Sequence, residues 1–161
     1  MRVIGIDPGL ATTGFAIIEP LQKGGRVCHS GNINTDRGHS VEERLSTIYH
    51  ELSGVLRRWS LDLMVLEDVF VAKQFPMAAM QLGEVRGVIR LIANNMGIPI
   101  SEIKPTEVKS ALTGSGRAGK EQVKRVVRRL LHIEETIKSD HVSDAMALAL
   151  TGLTRDGVFR W

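Results

Sequence analysis

One cysteine, Cys28, stands in 161 residues, so an intrachain disulfide is excluded and a reducing compartment, the cytoplasm, is expected. No apolar run approaches the roughly 18–20 residues that a membrane-spanning helix needs. Asp7 sits inside the first apolar stretch, where a signal peptide has to be uninterrupted. No membrane partner is therefore expected. Low-complexity tracts, internal repeats and long linkers are missing too, and the 43% apolar and 24% charged fractions are ordinary for a folding chain. A length near the commonest domain size predicts one domain over residues 1–161.

A strong net charge is also absent: 21 Lys and Arg oppose 18 Asp and Glu, a balance of +3. Its distribution is uneven. Between Ser101 and Leu130 eight basic residues face three acids, which makes that window +5. Such a stripe on a nearly neutral body is either the footprint of a polyanion or a solvated helix face.

Hydrophobic spacing then sets the elements. Val3–Ile6 is a short apolar run ending at Asp7 and the turn formers Pro8 and Gly9. Thr13–Glu19 and Arg26–Asn34 flank Lys23-Gly24-Gly25 and predict an antiparallel hairpin. Val41, Leu45, Ile48, Leu52, Val55 and Trp59 recur at steps of four and three, predicting a helix over 41–59 with Ser40 and Glu43 as its capping box. A strand over Leu61–Leu66 runs into Glu67. Helices are predicted over Met77–Met96, Glu121–Leu131 and Asp140–Leu153, with a strand over Ile98–Ile103. The order implies an α/β fold: a mixed five-stranded sheet, antiparallel meander plus parallel strands, flanked by helices.

In that arrangement the strands ending at Asp7 and Glu67 pair side by side, and their carboxylates emerge at neighbouring strand ends, where open α/β sheets place their sites. The two acids repel each other unless a cation lies between them. His141 and Asp144, three apart, share one face of the last predicted helix. Packed on the sheet, that face brings an imidazole and a third carboxylate to the same place. Asp7, Glu67, His141 and Asp144 thus make a candidate site for Mg²⁺ or Mn²⁺. Two such ions suit phosphodiester hydrolysis, one activating water and the other stabilising the leaving oxygen. Taken singly, each residue has an ordinary structural role as turn, strand-end or helix-surface residue.

The motifs in order are Gly5-Ile6-Asp7-Pro8-Gly9 with Thr13-Gly14, and Leu66-Glu67-Asp68-Val69-Phe70 with Ala72-Lys73. They continue through Leu82-Gly83-Glu84-Val85-Arg86-Gly87, Val108-Lys109-Ser110-Ala111-Leu112-Thr113-Gly114 and Lys120-Glu121-Gln122-Val123 to His141-Val142-Ser143-Asp144-Ala145. Together they resemble the RuvC family of Holliday-junction resolvases, of the ribonuclease H-like superfamily, over almost the whole chain. The resemblance implies a homodimeric, metal-dependent endodeoxyribonuclease that nicks two strands of like polarity across a four-way junction. It serves recombination and repair and works beside a branch-migration motor complex. The family's four metal-binding, catalytic positions fall on Asp7, Glu67, His141 and Asp144. Some members carry Asp where this chain has His141; an imidazole lowers the site's negative charge and favours Mn²⁺ over Mg²⁺. His141 is open to a second role, as proton acceptor from the attacking water.

The same resemblance puts Lys109 and Lys120 beside the scissile phosphate, and Lys73 and Phe70 on the DNA. Phe70 stacks on bases at the crossover or else packs in the core. Arg117 lies in Gly114-Ser115-Gly116-Arg117-Ala118-Gly119, read as a mobile basic loop over the DNA. Gly83 and Gly87, one helical turn apart, admit close approach of a backbone, either the chain's own sheet or a second copy. Cys28 beside His29 is set aside as a catalytic pair because strand neighbours face opposite ways. Rival functions are a ribonuclease H-like nuclease on RNA–DNA hybrids or other branched DNA, and a junction-binding protein without activity. A phosphotransferase with a similar Asp-x-Gly turn needs a second lobe for which 161 residues leave no room.

Overall fold

Strands that are apolar at every position need cover on both faces, and Val3–Ile6 and Leu63–Leu66 have it. In the computed structural model, which describes residues 1–68 and 76–155, β1 (Val3–Asp7) is the middle of a five-stranded sheet ordered β3-β2-β1-β4-β5. β2 (Thr12–Pro20) and β3 (Gly25–Asn34) add to it antiparallel, while β4 (Leu63–Glu67) and β5 (Ile100–Ile103) add parallel. This is the mixed meander-plus-parallel sheet that the order of elements implies. The helices are α1 (Val41–Leu56), α2 (Pro76–Asn95), α3 (Pro105–Thr113), α4 (Lys120–Leu130) and α5 (Asp140–Arg155).

One face of the sheet, through Ile4, Ile6, Phe15, Ile17, Met64 and Leu66, packs on α1 and α2. The other, through Val3, Ala16, Ile18, Leu63, Val65 and Ile103, packs on α3, α4 and α5. Side chains alternate along a strand, so Asp7 shares the face of Val3 and Gly5, and Glu67 that of Leu63 and Val65. Both carboxylates therefore emerge on the side of α5. That helix is buried almost throughout from Val142 to Leu153 and lies directly on the sheet. Glycine makes the approach possible: a Cβ on Gly5 would stand 2.0 Å from the Ala145 carbonyl oxygen, and one on Gly14 2.4 Å from that of His141.

Several expectations are corrected. The first helix stops at Leu56, not Trp59, and Trp59 instead lies over the His29 ring. β5 starts at Ile100, not Ile98. Gly97, at φ +65°, ends α2 in a left-handed turn in which the Ile98 N–H returns to the Ala93 carbonyl at 2.9 Å. The second half of the chain also holds a helix the periodicity does not predict. α3 has only Val108 and Leu112 as buried anchors; its marks are Pro105 in the first turn and Gly114 as a left-handed C-cap.

Among the described residues, Gly83 and Gly87 have nothing within 4 Å of an added Cβ, so the chain's own sheet is not what they accommodate. A β-bulge beside Ile17 turns Cys28 onto the α1/α2 face, the same face on which His29 meets Phe15 and Trp59. Cys28 and His29 therefore do not face opposite ways, contrary to the strand-alternation expectation. Burial and the neighbouring Glu19 carboxylate nevertheless push the Cys28 thiol up, away from a reactive thiolate.

Candidate active site

Asp7 closes β1 and Glu67 closes the adjacent parallel strand β4, with the pairing of the two strands ending at Ile6 and Leu66 just before them. His141 and Asp144 lie one turn apart at the start of α5. Gly14, opposite Asp7 in the antiparallel pairing with β2, is the residue on which the His141 backbone rests. The His141 Nδ1 reaches the Asp7 Oδ2 at 2.6 Å.

Asp7, Glu67, Asp144, Lys109 and Lys120 line one cleft of 280 Å³, whose apolar wall includes Val108, Val123, Ala147 and Leu148. The Lys120 ammonium reaches Asp144 at 3.4 Å and Asp140 at 3.0 Å; Lys124 holds the other Asp140 oxygen at 2.7 Å. α4 thus delivers Lys120 to the mouth of the cleft, and Asp140 keeps it there.

Electrostatics follow from this crowding. Burial raises the Asp7 carboxyl above its ordinary range, opposed by the hydrogen bond from His141. Burial also raises Glu67, and repulsion from Asp7 and Asp144 adds to it, while Arg86 and Lys109 pull it down. The two lysines that hold Asp140 lower its pKa to about 2. Three carboxylates and an imidazole, two of the acids held at a cost in their charged form, are a donor set that a divalent cation relieves. Among the described residues no three such side chains form a closed cage. Asp7 is engaged by His141, and Asp144 by Lys120.

The structure thus gathers Asp7, Glu67, Asp144, Lys109 and Lys120 around one cleft and sets His141 against Asp7. Arg117 is exposed and does not line the cleft. Its loop, expected to lie as a mobile basic loop over the DNA, is anchored at one end: Ala118 is buried in the core and its N–H bonds to the Ser115 carbonyl at 3.1 Å. Phe70 and Lys73 lie outside the described residues. Sequence reasoning missed two contributors. Asp140 shows only as an acid four residues before Asp144, and Arg86 only as a charged position on a helix.

A family model described as crossover junction endodeoxyribonuclease RuvC matches residues 3–152. The crossover junction endodeoxyribonuclease RuvC of Rhodopirellula baltica is 40% identical over 152 residues, spanning 93% of this chain and 84% of that protein. The structure of Thermus thermophilus RuvC matches with a TM-score of 0.88 at 32% identity, covering 98% of this chain and 97% of that one. T. thermophilus RuvC in complex with Holliday junction substrate matches with a TM-score of 0.87 at 29% identity, over the same shares of the two chains. On sequence, fold and motif order alike, this chain belongs to the RuvC family of crossover junction endodeoxyribonucleases.

Proposed function

We propose that residues 1–161 form a single nuclease domain that resolves four-way (Holliday) DNA junctions by paired symmetric nicks, in recombination and repair in the cytoplasm. One observation carries this reading: a cleft in which three carboxylates face two ammonium groups. The acids suit cations, and the ammoniums suit a phosphodiester.

The RuvC family is one of divalent-metal nucleases. Asp7, Glu67, His141 and Asp144 would hold Mg²⁺ or Mn²⁺, two per site, which supply a lowered water pKa and charge compensation at the leaving oxygen. The remaining steps fall to the chain's own groups. When His141 Nδ1–H donates to Asp7, the imidazole is fixed in the tautomer whose Nε2 carries a lone pair for ligation or for a proton. Lys109 and Lys120 neutralise the phosphate as negative charge develops on it. Lys120 reaches it by leaving Asp144, whose carboxylate is then free for a cation. Phe70 stacks on bases at the crossover, with Lys73 and Arg117 on the phosphates around it.

A two-fold junction calls for a two-fold enzyme. Met77, Met80, Gly87 and Leu91 form an outward stripe on α2 at helical steps, with Met77 66%, Met80 61% and Leu91 54% exposed and Gly87 leaving open space. We assign this stripe to the homodimer seam, and a branch-migration motor complex is the further partner. Gly87→Glu then yields a monomer in analytical ultracentrifugation without loss of Tm.

The deciding experiment maps nicks on a denaturing gel with a four-way junction, a plain duplex and an RNA–DNA hybrid side by side. Paired nicks on the junction alone are expected. Asp7→Asn abolishes them while junction binding persists; a variant that still cuts overturns the assignment of Asp7.

A further inference from the structure

Arg86 stands on the opposite side of the sheet's edge from the cleft, on α2, with its side chain only 13% exposed. Its guanidinium is forked between two acceptors. One nitrogen donates to the main-chain carbonyl of Glu67, the other to the Glu102 Oε1 at 2.5 Å. Glu102 is itself fixed: it lies opposite Leu66 in the β4–β5 pairing, its carboxylate also accepts from Arg90, and its main-chain oxygen accepts from Arg155 at 3.0 Å. β1 stops pairing with β4 at Leu66, so Glu67 projects one residue beyond that ladder. Arg86 takes hold at that point.

A residue's carbonyl and its side chain branch from the same Cα, so clamping the carbonyl restricts where the carboxylate can point. A planar fork with both prongs occupied does this with little freedom left. We propose that Arg86 is a positioning residue: with Glu102 as its anchor, it fixes the end of β4 and aims the Glu67 carboxylate into the cleft. Arg86 itself does not line the cleft. The inference rests on Glu67 being a metal ligand.

The test is a calorimetric titration of Mn²⁺ into the full-length protein without DNA, alongside kcat and KM on a four-way junction. For Arg86→Gln the Mn²⁺ affinity falls about 10–100-fold, the range for removing a group that orients a metal ligand. Junction KM changes less than about threefold, and raising Mn²⁺ restores much of kcat, which it does not do for a merely misfolded site. Arg86→Lys, keeping the charge and one prong, recovers part of the affinity. Should Arg86→Gln unfold, Glu102→Gln weakens the anchor by removing its charge and carries the same expectation at smaller size. Unchanged Mn²⁺ affinity in the folded variant overturns the role of Arg86, provided Glu67→Gln does lose affinity. If Glu67→Gln keeps its affinity, it is the ligand assignment that fails.

Discussion

Replacing Gly14 by Ala separates two jobs that the fold merges in one position. Gly14 lies opposite Asp7 across the β1–β2 pairing, and a Cβ there would stand 2.4 Å from the His141 carbonyl carbon and oxygen and 2.7 Å from its Cβ. The first two are backbone and the Cβ is fixed to it, so none can swing aside. Ordinary van der Waals contact begins near 3.4 Å, so the first turn of α5 has to lift by about 1 Å. The His141 to Asp7 hydrogen bond, 2.6 Å in this structure, is then stretched beyond bonding range. Overpacking of this kind costs about 1–3 kcal/mol, partly offset by the ~0.5–1 kcal/mol an Ala saves over Gly in a strand. For a chain of this size a net loss of ~1–2 kcal/mol lowers Tm by only a few degrees. A displacement of about 1 Å within a reacting constellation costs about a hundredfold in rate. Gly14→Ala is therefore expected to fold, bind junctions and cut them about a hundredfold more slowly. The assay is single-turnover cleavage at saturating enzyme, with differential scanning fluorimetry on the same preparation. Gly54→Ala is the control: in α1, with nothing within 4 Å of the added methyl, it raises Tm slightly and leaves cleavage alone. A Gly14→Ala rate within threefold of the parent refutes the idea that glycine sets the height of α5 above Asp7.

Burial raises the carboxyls of Asp7 and Glu67, so the folded, metal-free protein binds protons more tightly there than the unfolded chain does. Its stability consequently falls as pH rises through those raised values, the reverse of an ordinary salt-bridged acid. In EDTA, Asp7→Asn should melt above the parent at about pH 8 and approach it near pH 4; equal melting curves at both values contradict this. His141→Asp exchanges a borderline nitrogen ligand for a hard oxygen. The parent is expected to cut at least as fast with Mn²⁺ as with Mg²⁺ and the variant to shift toward Mg²⁺, as initial rates in each metal will tell. His132 ends α4 in the left-handed region at φ 53°, with the Ile133 N–H returning to the Arg128 carbonyl at 2.9 Å. Gly suits that position better, so His132→Gly should raise Tm by roughly 1–3 °C. A lower Tm means the His132 Nε2 contact with the Lys23 carbonyl, 3.2 Å long, is worth more than the strain.

What the sequence discloses about the site depends on how far each contribution is local. Asp7 and Glu67 are legible because period-two alternation ties each to its strand: once Val3 and Val65 face α5, so do they. His141 and Asp144 are legible because one helical turn separates them. Gly5 and Gly14 are visible as glycines within motifs, but not for what they do, since the atoms they would strike belong to Ala145 and His141 on a helix far along the chain. Arg86 is less visible still. Its partners are a carbonyl, which no side-chain pattern marks, and Glu102, which by spacing alone is just a polar position on a short strand. α3 escaped for another reason: two buried apolar residues in nine give no period to detect, and the helix is declared by its ends. The anchor of the basic loop is equally hidden: three glycines mark the segment, and no pattern marks Ala118 as buried. Composition records how freely a segment can bend; whether it is pinned depends on a contact with α3, where Gly116 packs on Thr106. The parts of this site proposed to hold ions are written in periodicity. The parts that hold those residues still are written in contacts between distant segments, and there a substitution can alter rate without touching a ligand.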